Sequence, residues 1–172
     1  CLNGLQRYLP YSDSFEEIPL FVGDARVFPH IMQILETRNG DLWIATSGQG
    51  CFVRPGTSGG RTRFYRRLTD SLDSDFLTTL YEDPKGNLWL SVREGSVWRY
   101  NNINGIIQKI PFPGEFDKPG EVPAFCTDKQ GNVFLGSLSE GLFRYDAVTE
   151  SLIHIPYYNG IRSLPVKSLL AD

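Results

Sequence analysis

A period of 45 to 46 residues restricts what this chain can become more than any other feature. The stretches "NGDLWIA" at 39–45, "KGNLWLS" at 85–91 and "QGNVFLG" at 130–136 are near copies of one another. A turn glycine recurs at Gly40, Gly86 and Gly131, and a second glycine at Gly4, Gly50, Gly95 and Gly141. "FEEIP" at 15–19 and "LIHIP" at 152–156 stand three such steps apart, and "KIP" at 109–111 keeps the same register. A unit this small cannot bury its own apolar face, so self-similarity at this length implies stacked copies of one supersecondary unit.

Each period holds four short strand-like runs separated by turn residues. In the clearest copy they are "FLTTLYED" from Phe76, "NLWLSVR" from Asn87, "SVWRYN" from Ser96 and "IIQKIPF" from Ile106, here called strands a to d. The a–b connection carries Asp-x-x-Gly-Asn at 83–87 and 128–132, with Thr37 in place of Asp in the first copy. Asp accepts bonds from backbone amides within such a turn, and Gly supplies the positive φ that closes it. Strand b then reads Leu42-Trp43-Ile44, Leu88-Trp89-Leu90 and Val133-Phe134-Leu135. Three apolar residues in a row predict a strand dry on both faces, with the central aromatic packed against the next sheet.

Four-stranded sheets repeating at this interval predict an all-β fold, a β-propeller of antiparallel blades. The register places strands c and d of a partial blade at 1–22 and full blades at about 27–68, 74–112 and 122–157. The first strand of another blade is expected at 165–172. Two strands, three blades of four and one more strand make fifteen, one short of a closed four-bladed ring. The expectation is a piece of a larger propeller.

Composition excludes several classes. The 172 residues are 41% hydrophobic with a formal net charge of -3, which suits a globular domain and gives no reason to expect nucleic acid as a partner. No apolar run reaches the roughly 18 residues of a membrane span. Cys1, Cys51 and Cys126 have no metal-type spacing, and Cys51 and Cys126 are expected as buried free thiols. No metal or other cofactor is expected. His30 and His154 fall at different registers, so spacing assembles no Ser-His-Asp or Cys-His set and no catalytic residue is assigned. "RTRFYRRL" at 61–68 puts Arg61, Arg63 and Arg67 on one side of an outer strand, where they are expected to protect an exposed edge.

The stretch "SDFLTTLYEDPKGNLWLSVREGSVWRYN" from Ser74 resembles the two-component regulator propeller repeat. "IMQILETRNGDLWIATSGQGCFVR", "AFCTDKQGNVFLGSLSEGLFRYD" and "VKSLLAD" are similar to it, with Thr37 for Asp, Phe134 for Trp and Ser96 for Leu as departures. The resemblance implies a periplasmic or extracellular input region of a bacterial sensor histidine kinase. It further implies a small glycan or other periplasmic ligand, a homodimer formed through the parent protein, and membrane attachment through flanking segments. Streptogramin lyases have similar Gly-Asn-Leu-Trp blades, so a propeller lyase is the enzymatic alternative, and a protein-interaction propeller is the third reading. Propellers bind at the face made by their b–c and d–a loops. Here those loops offer Gln49, Arg93, Glu94, Ser139 and Glu140, with Asp75, Glu121 and Arg162 from the longer connections. Carboxylate, amide and guanidinium groups of this kind can bond sugar hydroxyls or pair with uronate and sulfate.

Overall fold

A computed structural model describes residues 4–56, 63–65, 72–116, 119–156 and 164–171. Among these residues every regular element is a strand, and no helix is long and apolar enough to cross a membrane. Strands β1 (Leu5–Leu9) and β2 (Ser14–Ile18) pair antiparallel, and so do β3 (Leu20–Val22) and β4 (Ala25–Val27). Three four-stranded antiparallel sheets follow. The first is β5 (Ile31–Glu36), β6 (Leu42–Thr46), β7 (Cys51–Arg54) and β8 (Arg63–Tyr65). The second is β9 (Leu77–Glu82), β10 (Leu88–Val92), β11 (Val97–Tyr100) and β12 (Ile107–Ile110). The third is β13 (Ala124–Thr127), β14 (Val133–Ser137), β15 (Gly141–Asp146) and β16 (Ser151–Ile155). Each meanders in chain order, so its four strands are the sequence-defined a, b, c and d.

Register fixes the equivalence of the sheets. Trp43 sits opposite Leu35 on strand a and Val53 on strand c. Trp89 sits opposite Tyr81 and Arg99, and Phe134 opposite Cys126 and Arg144. The three aromatics therefore hold one position in successive sheets. Because side chains alternate across a strand, their neighbours point to the other face. Ile44 joins Leu5, Leu20 and Phe52 in one buried layer. Trp43 joins Leu80, Leu88 and Leu90 in the next, and Trp89 joins Val133, Leu135 and Phe143 in the third. The first and second sheets each contribute one face to each of two layers, and the third contributes one face to the last, as radially stacked blades must.

The aromatic contact repeats with the sheets. Trp43 packs on Tyr100 at 5.1 Å between ring centroids, and Trp89 packs edge-on against Tyr145 at 4.9 Å. In both cases a strand b ring meets the strand c tyrosine of the following sheet.

Three expectations meet corrections. Phe134 and Cys126 are half-buried, not buried, because their face of the third sheet meets the segment 164–171 and no further sheet among the described residues. That segment, where a strand a was expected, forms no ladder. Val166 N donates to Ser137 O at 2.9 Å, but a strand exists only through a pairing neighbour, and none of the described residues supplies one. The hairpin β3–β4 was not anticipated, although its Gly23-Asp24 turn, with Gly23 at φ 59°, is a recognisable two-residue connection. Cys51 is fully buried, and burial pushes its thiol up to about 12, so it stays protonated and inert. The arginine side chains of 61–67 lie outside the described residues, and β8 is the edge strand of its sheet.

Candidate functional site

The a–b turns set the frame of the molecule at one end. Asp83 Oδ1 accepts the backbone amides of Lys85 and Asn87, each at 2.9 Å. Its Oδ2 accepts the Asn87 side-chain amide at 2.9 Å and the Trp89 indole N–H at 3.0 Å. One buried carboxylate thus closes the turn and orients the ring that packs on the next sheet. Asp128 repeats the pattern with Gln130 N, Asn132 N and Asn132 Nδ2, and Phe134 has no N–H to add. The Asn132 side chain and then the backbone amides hold the Asp128 carboxyl below the usual carboxylate range. Thr37 donates instead to Asp41 O at 2.9 Å. The recurring carboxylates serve the turn.

The opposite end carries the candidate site. In the first and third sheets strand b ends there in a small hydroxyl residue that folds the b–c loop back, where the second has Val92. Thr46 Oγ1 donates to Gly50 O at 2.7 Å and accepts Gln49 N at 3.2 Å. Ser137 Oγ, at the equivalent place in the third sheet, accepts Ser139 N at 3.1 Å and Glu140 N at 3.0 Å. Gln49, Glu94 and Glu140 each precede the recurring loop glycine, so three successive loops present one side chain at one register. Strand a bulges at this end too. The pairing skips Met32 in β5 and Thr78 in β9, 46 residues apart, and such bulges commonly re-aim the chain beside a site.

Backbone bonds sew the b–c loops to the d–a connections and sort the residues into two seams. At the first, Gly48 N and Gly50 N donate to Asp75 O at 3.1 and 3.0 Å, and Arg93 N donates to Phe76 O at 2.9 Å. Gln49, Asp75 and Arg93 are brought together there, with the Arg93 guanidinium 6.0 Å from the centre of the Phe76 ring. At the second, Leu138 N donates to Glu121 O at 3.0 Å and Ser139 Oγ donates to Pro119 O at 2.6 Å. Gly95, at φ 93°, approaches so closely that a Cβ there would lie 2.3 Å from Gly120 O. Glu94, Glu121, Ser139 and Glu140 share this second seam. Arg162 lies outside the described residues.

Gln49, Arg93, Glu94 and Ser139 are exposed, and Asp75, Glu121 and Glu140 are half-buried. Sequence reasoning missed the hydroxyls of Thr46 and Ser137 that shape these loops. A small polar residue closing strand b ahead of the loop glycine was the available signal. His154 is engaged elsewhere: its Nε2 donates to Glu140 O at 3.0 Å and its ring lies 4.6 Å from Phe116 and 5.2 Å from Phe143. The rim thus offers amide, guanidinium and carboxylate groups, the inventory of a polar recognition surface.

The family pattern described as "two component regulator propeller" matches residues 28–48 and 71–98. The matched residues make up less than a third of the chain. These spans cover the first two a–b turns, including Asp83 and both tryptophans that pack on the next sheet. Solved structures agree in fold. The extracellular domain of a protein assigned as a hybrid two-component system of B. thetaiotaomicron superposes with a TM-score of 0.69 at 21% identity, over 99% of this chain and 23% of that one. A second such extracellular domain from the same organism gives 0.69 at 18%, over 92% and 22%. Virginiamycin B lyase of Staphylococcus aureus, solved as an inactive variant with quinupristin, gives 0.65 at 18%, over 99% and 53%. The chain therefore spans less than a quarter of the length of the two extracellular domains. No curated protein matches the chain.

Proposed function

We propose that these repeats belong to the extracellular or periplasmic input region of a two-component sensor system and bind a small ligand without transforming it. The observation that carries this reading is the rim. Three successive sheets hold Gln49, Glu94 and Glu140 at one register, with Asp75 joined to the first loop by backbone bonds and Arg93 bonded to the adjoining Phe76. A rigid sheet end with polar loops is a standard way to place recognition groups. The match of the family pattern to two blades supports the sensory context.

The ligand class we propose is a glycan fragment, with Arg93 taking a uronate or sulfate group and the carboxylates and Gln49 taking hydroxyls. Signal output would run through other parts of the parent protein, as a homodimer attached to the membrane by its flanking segments.

A melting assay against neutral, uronate and sulfated oligosaccharides tests the reading. A ligand of this class raises the melting temperature, and the gain grows with the logarithm of ligand excess over Kd. Arg93→Ala weakens binding of the acidic members by about tenfold, the scale of one charge-assisted pair. An unchanged melting temperature across the panel contradicts the glycan reading. Catalytic turnover of a member contradicts the non-catalytic one.

A further inference from the structure

A cleft of about 360 Å³ opens between the second and third sheets at the turn end, opposite the rim. Its walls include Asp83, Lys85, Trp89, Arg99, Arg144, Tyr145 and Asp146. The volume falls in the range of small-molecule sites. What distinguishes it is the state of its polar groups.

Its acceptors are largely spent. Both oxygens of Asp83 already take the four donors described above. Asp146 Oδ1 takes Val148 N and its Oδ2 takes Thr149 Oγ1, each at 2.9 Å. Its donors are not spent. Lys85 and Arg144 are exposed and make no ion pair among the described residues. Arg99 reaches from the second sheet to the third, donating from Nη1 to Tyr145 Oη at 2.5 Å and from Nη2 to Glu150 at 3.4 Å. Its Nε–H is buried and has no partner among the described residues. A buried donor without an acceptor marks a place where a water, ion or ligand completes the site. The three cations outnumber the two carboxylates of the lining, and those carboxylates are turned to their own chain.

We infer that this cleft binds a small oxyanion, a carboxylate, sulfate or phosphate, between Lys85 and Arg99, with Arg144 at its edge. Lys85 and Arg99 come from the second sheet and Tyr145, which Arg99 bonds, from the third, so the anion sits where two blades meet. The site is independent of the rim and stands whether or not the glycan reading does.

Three tryptophans make the test direct, because each gives one indole N–H resonance in a ¹⁵N-labelled protein. Trp89 forms a wall of the cleft, whereas Trp43 and Trp98 lie in the neighbouring layer. Acetate, sulfate and inorganic phosphate are titrated in turn at constant ionic strength, with chloride as the balancing anion. The expected result is a saturable shift of the Trp89 indole alone, and the three titrations tell which oxyanion is preferred. Lys85→Ala combined with Arg144→Ala, both exposed positions, weakens that binding by about tenfold or more, while Lys85→Arg retains it. The proposal is overturned if no oxyanion gives saturation, if all three indoles move together, or if the double variant binds as the wild type does.

Discussion

At the scale of the residue, Asp83 shows how one carboxylate organises a blade. It is 3% exposed and holds two backbone amides, a side-chain amide and the indole of Trp89. Removing it leaves a buried indole N–H and two turn amides without an acceptor, so Asp83→Ala is expected to cost about 2–4 kcal/mol, read from urea unfolding midpoints. An unchanged midpoint would mean that the turn closes without the carboxylate. Asp128 and Asp146 add a pH dependence. The Asn132 amide lowers the first, and the Val148 amide with the Thr149 hydroxyl lowers the second. A carboxyl lowered in the folded state contributes stability above its unfolded value of about 3.9, and that contribution is lost as pH falls through the folded value. The drop in urea midpoint below about pH 4 is therefore expected to be steeper in the wild type than in the Asp128→Asn, Asp146→Asn double variant. Identical acid limbs would remove both groups from the account.

At the scale of the element, the loops at the rim depend on close backbone approach. Gly95 combines φ 93° with a neighbour that leaves no room for a Cβ, the carbonyl of Gly120. Gly95→Ala is expected to lower stability by about 2–3 kcal/mol through strain and displacement. It should also move the backbone amide resonances of Gly120, Glu121 and 137–140 while leaving those of Asp83 and 85–87 in place. Shifts confined to 94–96 would show that the second seam is not joined as described. Strand identity and order were legible because four runs per period carry their own turn chemistry, and the glycines mark where φ must be positive. Less legible were features that depend on a neighbour. The sequence of "VKSLLAD" matches strand a, yet pairing is a property of two segments, and among the described residues Val166 bonds Ser137 without a ladder forming. Phe134 copies the tryptophan position, yet its burial depends on what lies across the face. Among the site residues, the loop positions Gln49, Glu94 and Glu140 could be read from the period. The bonds that gather Asp75 with Arg93, and the Arg99 strut on Tyr145, needed coordinates because they cross between sheets.

At the scale of the whole molecule, the account rests on sheets stacked at one register around a shared centre, which puts all b–c loops at one end and all a–b turns at the other. Two buried layers carry the consequence most clearly. The strand b ring of one sheet meets the strand c tyrosine of the next, as Trp43 on Tyr100 and Trp89 on Tyr145. If the rim is a recognition surface and the opposite cleft an anion site, both follow from this order, since each is assembled from more than one sheet. The most direct test is the pattern of nuclear Overhauser effects from the tryptophan rings. The account predicts contacts from Trp43 to Tyr100 and from Trp89 to Tyr145, with none from Trp43 to Tyr145. Contacts from both tryptophans to one tyrosine, or from neither to its assigned ring, would contradict it.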